Sequence, residues 1–187
     1  MNQIAFFIRN LRTMGAVAPS SKYLAQRMVV PLKAWIEAHP NKGVRVLELG
    51  PGTGATTKYI QPLLRPIDHV DIVELNPSLH EYVSERYASN AMHFYNLNFL
   101  DFQIEQPYDF IFSGIPYEAL PVQVIDALWQ KKMEACHNQT IVTYFKYINP
   151  INFKSKLERK LIDQHCIEVG YEFRNIPPAR FFRLKLK

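Results

Sequence analysis

The chain has 187 residues, 48% of them apolar and 21% charged, enough for one sizeable core and incompatible with global disorder. Its net charge of +5 favours an anionic partner, nucleic acid or a phospholipid surface, without choosing between them. No run reaches the roughly eighteen uninterrupted apolar residues of a membrane span, and Cys136 and Cys166 stand outside any close-pair motif, so reduced, buried thiols in a cytoplasmic protein are expected rather than a disulfide or a zinc site.

In chain order, Ile4, Phe7, Ile8 and Leu11 recur at helical spacing beside Phe6, with Arg9 and Arg12 on other faces. Arginines inside the apolar run and the lack of a small-residue cleavage site predict a short amphipathic helix over 3–14, not a signal peptide. The segment "APSS" at 18–21 then supplies a turn and an N-cap for a second helix carrying Leu24, Met28, Leu32, Trp35 and Ile36, which Pro31 should kink or divide. Residues 1–42 therefore read as an N-terminal helical segment and 43–187 as the main unit of a single-domain protein.

Strands are expected at 44–49, 69–75, 92–96, 108–113 and 139–147, with helices at 55–65, 77–87, 121–134 and 151–163 between and after them. Alternating strand and helix with apolar strands predicts a parallel sheet covered on both faces. The ending differs: "CIEVGYEFR", "NIPP" and "ARFFRLKLK" read as two strands and a stiff turn, a hairpin that adds antiparallel pairing.

Directly after the first strand stands "LGPGTGATTKY". Gly50, Gly52 and Gly54 allow a sharp bend and a close ligand approach, and Thr56 and Thr57 open a helix whose free amides suit a polar group. A P-loop requires Gly-Lys-Ser/Thr, whereas Lys58 comes a turn too late. Glu48, in the strand just before, would repel a pyrophosphate and attract a cation.

The run "VLELGPGTG" resembles the first motif of class I S-adenosylmethionine-dependent methyltransferases. The resemblance implies an α/β, Rossmann-like, seven-stranded, mostly parallel sheet with an antiparallel C-terminal hairpin strand and helices on both faces. It implies S-adenosylmethionine as cofactor, with Glu48 near its amino end, Gly50, Gly52, Gly54 and Thr56 beneath it, and Glu74 with Leu75 at the ribose. Asp101 in "NLNFLDF" would meet the adenine amino group, with Phe99, Leu100 and Phe102 packing nearby.

The segment "SGIPYEALP", Ser113 to Pro121, follows the fourth strand, where the crevice of an open α/β sheet lies. The carbonyls of Ser113 and Gly114 would orient an acceptor amine, and Tyr117 or Glu118 would take its proton. This loop is similar to that of bacterial phosphatidylethanolamine N-methyltransferases related to the ribosomal adenine dimethyltransferases, as are Gly15–Met28 and Arg174–Leu184; it departs from them at Tyr117-Glu118-Ala119, which leaves a small polar amine open as acceptor. The resemblance implies a phospholipid substrate, with the protein peripheral on the inner face of the membrane; the helix at 3–14, apolar beside arginines, suits docking in the head-group boundary or covering the cofactor pocket.

Two rivals share the cofactor site: a ribosomal RNA adenine N6-methyltransferase, for which the stretch after the fifth strand leaves little room for an RNA-holding element, and a cofactor-binding protein without catalysis. The six histidines show no ligand spacing, so no metal is expected. Tyr144, Lys146 and Tyr147 are candidates for the acceptor side, "KLERKLIDQ" for a solvated helix, and Arg180 and Arg183 for lipid phosphate or no specific role.

Overall fold

The computed structural model describes residues 20–148 and 153–186. The helix expected over 3–14, residues 15–19 of the lipid-enzyme-like segment and the start of the 151–163 helix lie outside them.

Helix α1 spans Lys22–Ala38, and the Ser21 side chain accepts from the Leu24 amide at its start. Pro31 sits inside it without dividing it. A proline at this position strands the carbonyl four residues back, that of Arg27; the Arg183 guanidinium donates to that oxygen at 3.0 Å. Arg183 is itself buried and paired with Glu168, so it belongs to the core rather than to a lipid contact.

After α1 come strand β1 (Arg45–Leu49), one turn of helix α2 (Thr57–Ile60) with a 3₁₀ turn at Gln61–Leu63, strand β2 (His69–Val73), helix α3 (Pro77–Tyr87), strand β3 (Met92–Tyr95) and a 3₁₀ turn at Phe99–Asp101. Strand β4 (Tyr108–Ser113), a 3₁₀ turn at Tyr117–Ala119, helix α4 (Val122–Glu134), strand β5 (Cys136–Tyr147), helix α5 (Lys156–His165) and strands β6 (Cys166–Glu172) and β7 (Ala179–Lys185) complete the chain. The helix expected over 55–65 is thus a single turn; Pro62, which lacks an amide proton, stands in the 3₁₀ turn that follows it.

The sheet runs β3-β2-β1-β4-β5-β7-β6. The first five strands in this order pair in parallel, while β7 runs antiparallel to β5 and to β6. Successive side chains alternate across the sheet. Leu47, Ile111, Val142 and Tyr144 enter a core with Trp129 and Phe182, while Val46, Phe110 and Phe112 enter another with Leu32 and Val83. The N-terminal half of α1 adds Leu24 and Met28 to a third cluster with Phe145 and Phe181, so this helix is packed on the sheet. Both cysteines are free and half-buried rather than buried. Among the described residues no helix is long and apolar enough to cross a membrane, and no group of His, Cys, Asp or Glu is arranged to hold a metal.

Candidate functional site

A cavity of about 260 Å³ opens at the C-terminal ends of β1, β2, β4 and β5. Three backbone hydrogen bonds between neighbouring chain segments build its floor. The Gly50 amide bonds the Val73 carbonyl at 2.9 Å, the Gly114 amide bonds Leu49 at 2.8 Å, and the Glu74 amide bonds Tyr95 at 3.0 Å. These bonds extend the ladder one residue past each strand, so the loops leave the sheet side by side.

The glycines serve different ends. Gly52 has φ +58° and a Cβ there would meet no atom within 4 Å: its bare face lines the cavity. Gly54, at φ +82°, lies against the Tyr87 ring, which an added Cβ would approach to 2.3 Å. Gly52 makes room for a ligand; Gly54 makes room for α3.

Glu74 lines the cavity and bridges its two nearest loops, one oxygen accepting from the Gly52 amide at 3.1 Å and the other from the Asn76 amide at 2.9 Å. Burial raises its pKa, opposed by those amide bonds. The helix cap that follows is Asn76, whose side chain accepts from Ser78 and Leu79, so Glu74 is left to the glycine loop. Glu48 is buried just behind that loop, bonded by the Thr57 hydroxyl at 2.8 Å. Burial pushes its carboxyl up to about 8, and its Oε1 has no hydrogen-bond partner among the described residues. An orphaned carboxyl oxygen behind the loop, a side-chain-free cradle and a carboxylate on the wall fit a cationic sulfonium nucleoside.

Several expected positions fall elsewhere. Asp101 is exposed and off the cavity, because the 3₁₀ turn carries it outward; Asn98, at the start of the same turn, lines the wall with Phe99. Phe102 is turned into the core, edge-on to Tyr95 at 5.1 Å. Leu75 and Thr56 line the cavity, as do Gly50 and Gly114. Ile115, Pro116 and Leu120 of the loop expected at the crevice line it, and so do Ser20, at the start of the described chain, Val124 and Leu128, which had not been singled out from the sequence. Asn98 had a local signal: its side chain accepts from the Leu100 amide at 3.1 Å as a helix cap.

On the acceptor side Glu118 reaches the cavity, but Tyr117 and Ser113 do not. Tyr117 is wholly buried, its hydroxyl 2.8 Å from Ser113 Oγ and taking a hydrogen bond from Lys132 Nζ at 2.6 Å. Burial holds its phenol far above its ordinary value, so it is a strut under the loop rather than a proton acceptor. Lys132 is fully buried over the Trp129 ring, 3.1 Å from its centroid, and burial holds its pKa well down. Nearby, buried Glu158 accepts from Tyr144 at 3.0 Å and pairs with Lys146 at 3.0 Å. Of the three β5 candidates only Tyr147 lines the cavity, and Glu158 makes α5 more than a solvated helix.

Glu118 accepts from the Tyr147 amide at 3.0 Å. Its pKa is raised by burial, with amide bonds and the charge of Lys146 working against the rise. The charged side chains lining the cavity, among the described residues, are Glu74 and Glu118: both acidic.

The model of the family described as ribosomal RNA adenine dimethylase matches residues 20–149. Ornithine lipid N-methyltransferase of Singulisphaera acidiphila is 24% identical over 189 residues, covering 92% of this chain and 88% of that protein. Ribosomal RNA small subunit methyltransferase A of Nitrosomonas europaea is 34% identical over 68 residues, which is 36% of this chain and 25% of that protein, so the chain matches about a quarter of that relative's length. Magnesium protoporphyrin IX methyltransferase from Synechocystis, solved with bound S-adenosylmethionine, superposes with a TM-score of 0.64 at 14% identity, over 87% of this chain and 79% of that one. The sheet order, the glycine loop and the family match agree: the chain belongs to the ribosomal RNA adenine dimethylase family, among the class I S-adenosylmethionine-dependent methyltransferases.

Proposed function

We propose that this protein is an N-methyltransferase that moves a methyl group from S-adenosylmethionine to the amino group of a lipid head group at a membrane surface. The observation that carries the reading is the charge of the cavity: its charged lining, among the described residues, is two carboxylates. Such a wall attracts a sulfonium donor and an ammonium-bearing acceptor and opposes a polyphosphate chain. The end-to-end likeness to an enzyme named for ornithine lipid supports a lipid amine. Phosphatidylethanolamine is the head group the loop sequence suggests; the likeness to the ornithine lipid enzyme supports an ornithine-type head group as well.

When bound, the cofactor supplies an electrophilic methyl carbon on sulfur. The acceptor nitrogen attacks with its lone pair, so it must first be neutral. Glu118, held ready to bind a proton by burial, takes one from the ammonium, or from the nitrogen after transfer. The electrons of the methyl–sulfur bond would stay with the cofactor's sulfur. Ile115, Pro116, Leu120 and Leu128 on the wall exclude water, while Lys132, Tyr117 and Ser113 fix the loop from below.

The ribosomal RNA reading is favoured by the family description and the 34% identical stretch. A purely cofactor-binding role would suit a loop that closes the cavity, whereas Gly114, Ile115, Pro116 and Glu118 line an open one. Incubation with methyl-labelled S-adenosylmethionine and, separately, phosphatidylethanolamine vesicles, ornithine lipid, ribosomal RNA and small amines decides among them. Label in a lipid, falling about a hundredfold in Glu118→Gln with cofactor affinity retained, supports the proposal. Label in RNA alone overturns it.

A further inference from the structure

At the end of the sheet, edge strand β6 leaves one face bare. Ile167, at a register shift, and Val169 and Tyr171 are exposed along it, while Phe173 and Ile176 in the turn beyond are 72% and 81% exposed. The intervening Gly170 and Glu172 are buried, with Gly170 facing Phe181 and Arg27 of α1. The Tyr171 and Phe173 rings lie parallel, 6.2 Å between centroids. Single apolar side chains on a surface are ordinary; an aligned strip ending in an apolar turn is not.

The strip leads to the cavity. Tyr147 at the end of β5 and Glu172 at the end of β6 both stand opposite Ala179 of β7, so the turn at 173–178 lies at the same end of the sheet as the crevice. Half-exposed Ile148 donates its amide to Pro178 at 2.7 Å, and its neighbour Tyr147 lines the cavity. On the other side, the Ser21 amide donates to Asn175 Oδ1 at 2.7 Å, and Ser20 lines the cavity. Turn and cavity mouth share one rim.

Cations flank that rim. Arg174 is exposed, stacked 3.8 Å over the Tyr23 ring and paired with Glu172 at 2.7 Å; Arg27 approaches the same carboxylate at 3.9 Å, and Lys22 is exposed beside them at the start of α1. Two cations thus pair with one acid, and Lys22 lies over the same Tyr23 ring as Arg174, next to bare Phe173 and Ile176. An apolar turn ringed by Lys and Arg suits the head-group boundary of an anionic bilayer.

We infer that the 173–178 turn and the outer face of β6 form a membrane-docking surface that sets the cavity mouth at head-group level. Phe173 and Ile176 enter the boundary region, and Lys22, Arg27 and Arg174 face anionic lipid. This rests on the lipid-amine reading above and adds the contact that delivers the substrate. Pairing of two copies through the β6 edge would use the strip along the strand but would leave the cation-flanked turn without a role.

The test is co-sedimentation of the full chain with vesicles of phosphatidylcholine and phosphatidylglycerol, which carry no acceptor amine. Wild type should bind, more weakly at high salt. Phe173→Ser/Ile176→Ser should lose binding by about tenfold or more, while binding S-adenosylhomocysteine normally and methylating detergent-dispersed lipid at the wild-type rate. Unchanged vesicle binding in the variant, no binding by wild type, or a wild-type dimer that the substitutions dissociate would each overturn the surface. Lipid methylation with vesicle binding indifferent to these residues sinks the surface and spares the function; vesicle binding that needs them, with no lipid ever methylated, does the reverse.

Discussion

The two halves of the crevice are built on opposite plans. On the β1–β3 side, the groups that matter stand just past the ends of three successive strands and face the cavity: Gly52, Glu74 and Asn98 all line it. On the β4–β5 side, most polar groups face one another beneath the loop, with Lys132, Tyr117 and Ser113 in one buried chain and Glu158, Tyr144 and Lys146 in another. A cofactor shared by a whole class is met by short local segments at strand ends; the acceptor loop, which must hold its shape around a variable substrate, is propped from distant parts of the chain. The lesson is that a polar side chain in a reactive loop can serve the loop rather than the reaction.

Substituting each half in turn should break this contrast where it is wrong. Gly52→Val places a side chain in the cavity at a left-handed backbone position and should cost cofactor binding about 3 kcal/mol or more, read by calorimetry, with the fold intact. Lys132→Ala should do the opposite: cofactor affinity nearly unchanged but stability lower by about 2–4 kcal/mol in chemical denaturation, from a cavity and an unsatisfied hydroxyl chain. Lys132→Met, which keeps the volume, should cost about half as much. Equal losses in Met and Ala variants would mean that the polar bond, not the packing, holds the loop.

The buried carboxyl of Glu48 sharpens the comparison through pH. Its ordinary value of 4.5 is raised to about 8 in the folded state, chiefly by burial. Between those values the folded protein holds a proton that the unfolded chain releases, so this group's contribution falls as pH rises from 4.5 towards 8 and levels off above. Glu48→Gln cannot ionise and should show a shallower loss of stability across that window. Parallel wild-type and variant curves from pH 5 to 9 would place the ionisation elsewhere.

The smallest effect concerns the adenine wall. Asn98→Ala should weaken cofactor binding by about 1 kcal/mol and loosen its 3₁₀ turn slightly, whereas Asp101→Ala, at an exposed position, should leave binding within about 0.5 kcal/mol of wild type.

The course of the chain was plain in the sequence. Alternating apolar strands and helices, the Asn76-Pro77 start of α3 and the terminal hairpin all follow from local chemistry, and the glycine turn marked the cavity itself. What stayed hidden depended on partners far away in sequence. Nothing near Pro31 announces that Arg183 will take the Arg27 carbonyl, and nothing in "SGIPYEALP" announces that Lys132 will draw Tyr117 beneath the loop. Asp101 misled for a subtler reason: carboxylate chemistry suited the site, but a single 3₁₀ turn decides which of Asn98 and Asp101 faces inward, and one turn is beyond what periodicity resolves.

The central claim is that the glycine-lined cavity holds the methyl donor with its reactive end toward Gly114 and Glu118. A crystal structure of the full chain with S-adenosylhomocysteine tests it most directly. The account predicts the nucleoside between Gly52, Glu74 and Asn98, with its ribose on the Glu74 carboxylate and its sulfur facing the 114–118 loop. A nucleoside bound elsewhere, or in this cavity with its sulfur turned away from Glu118, would contradict it.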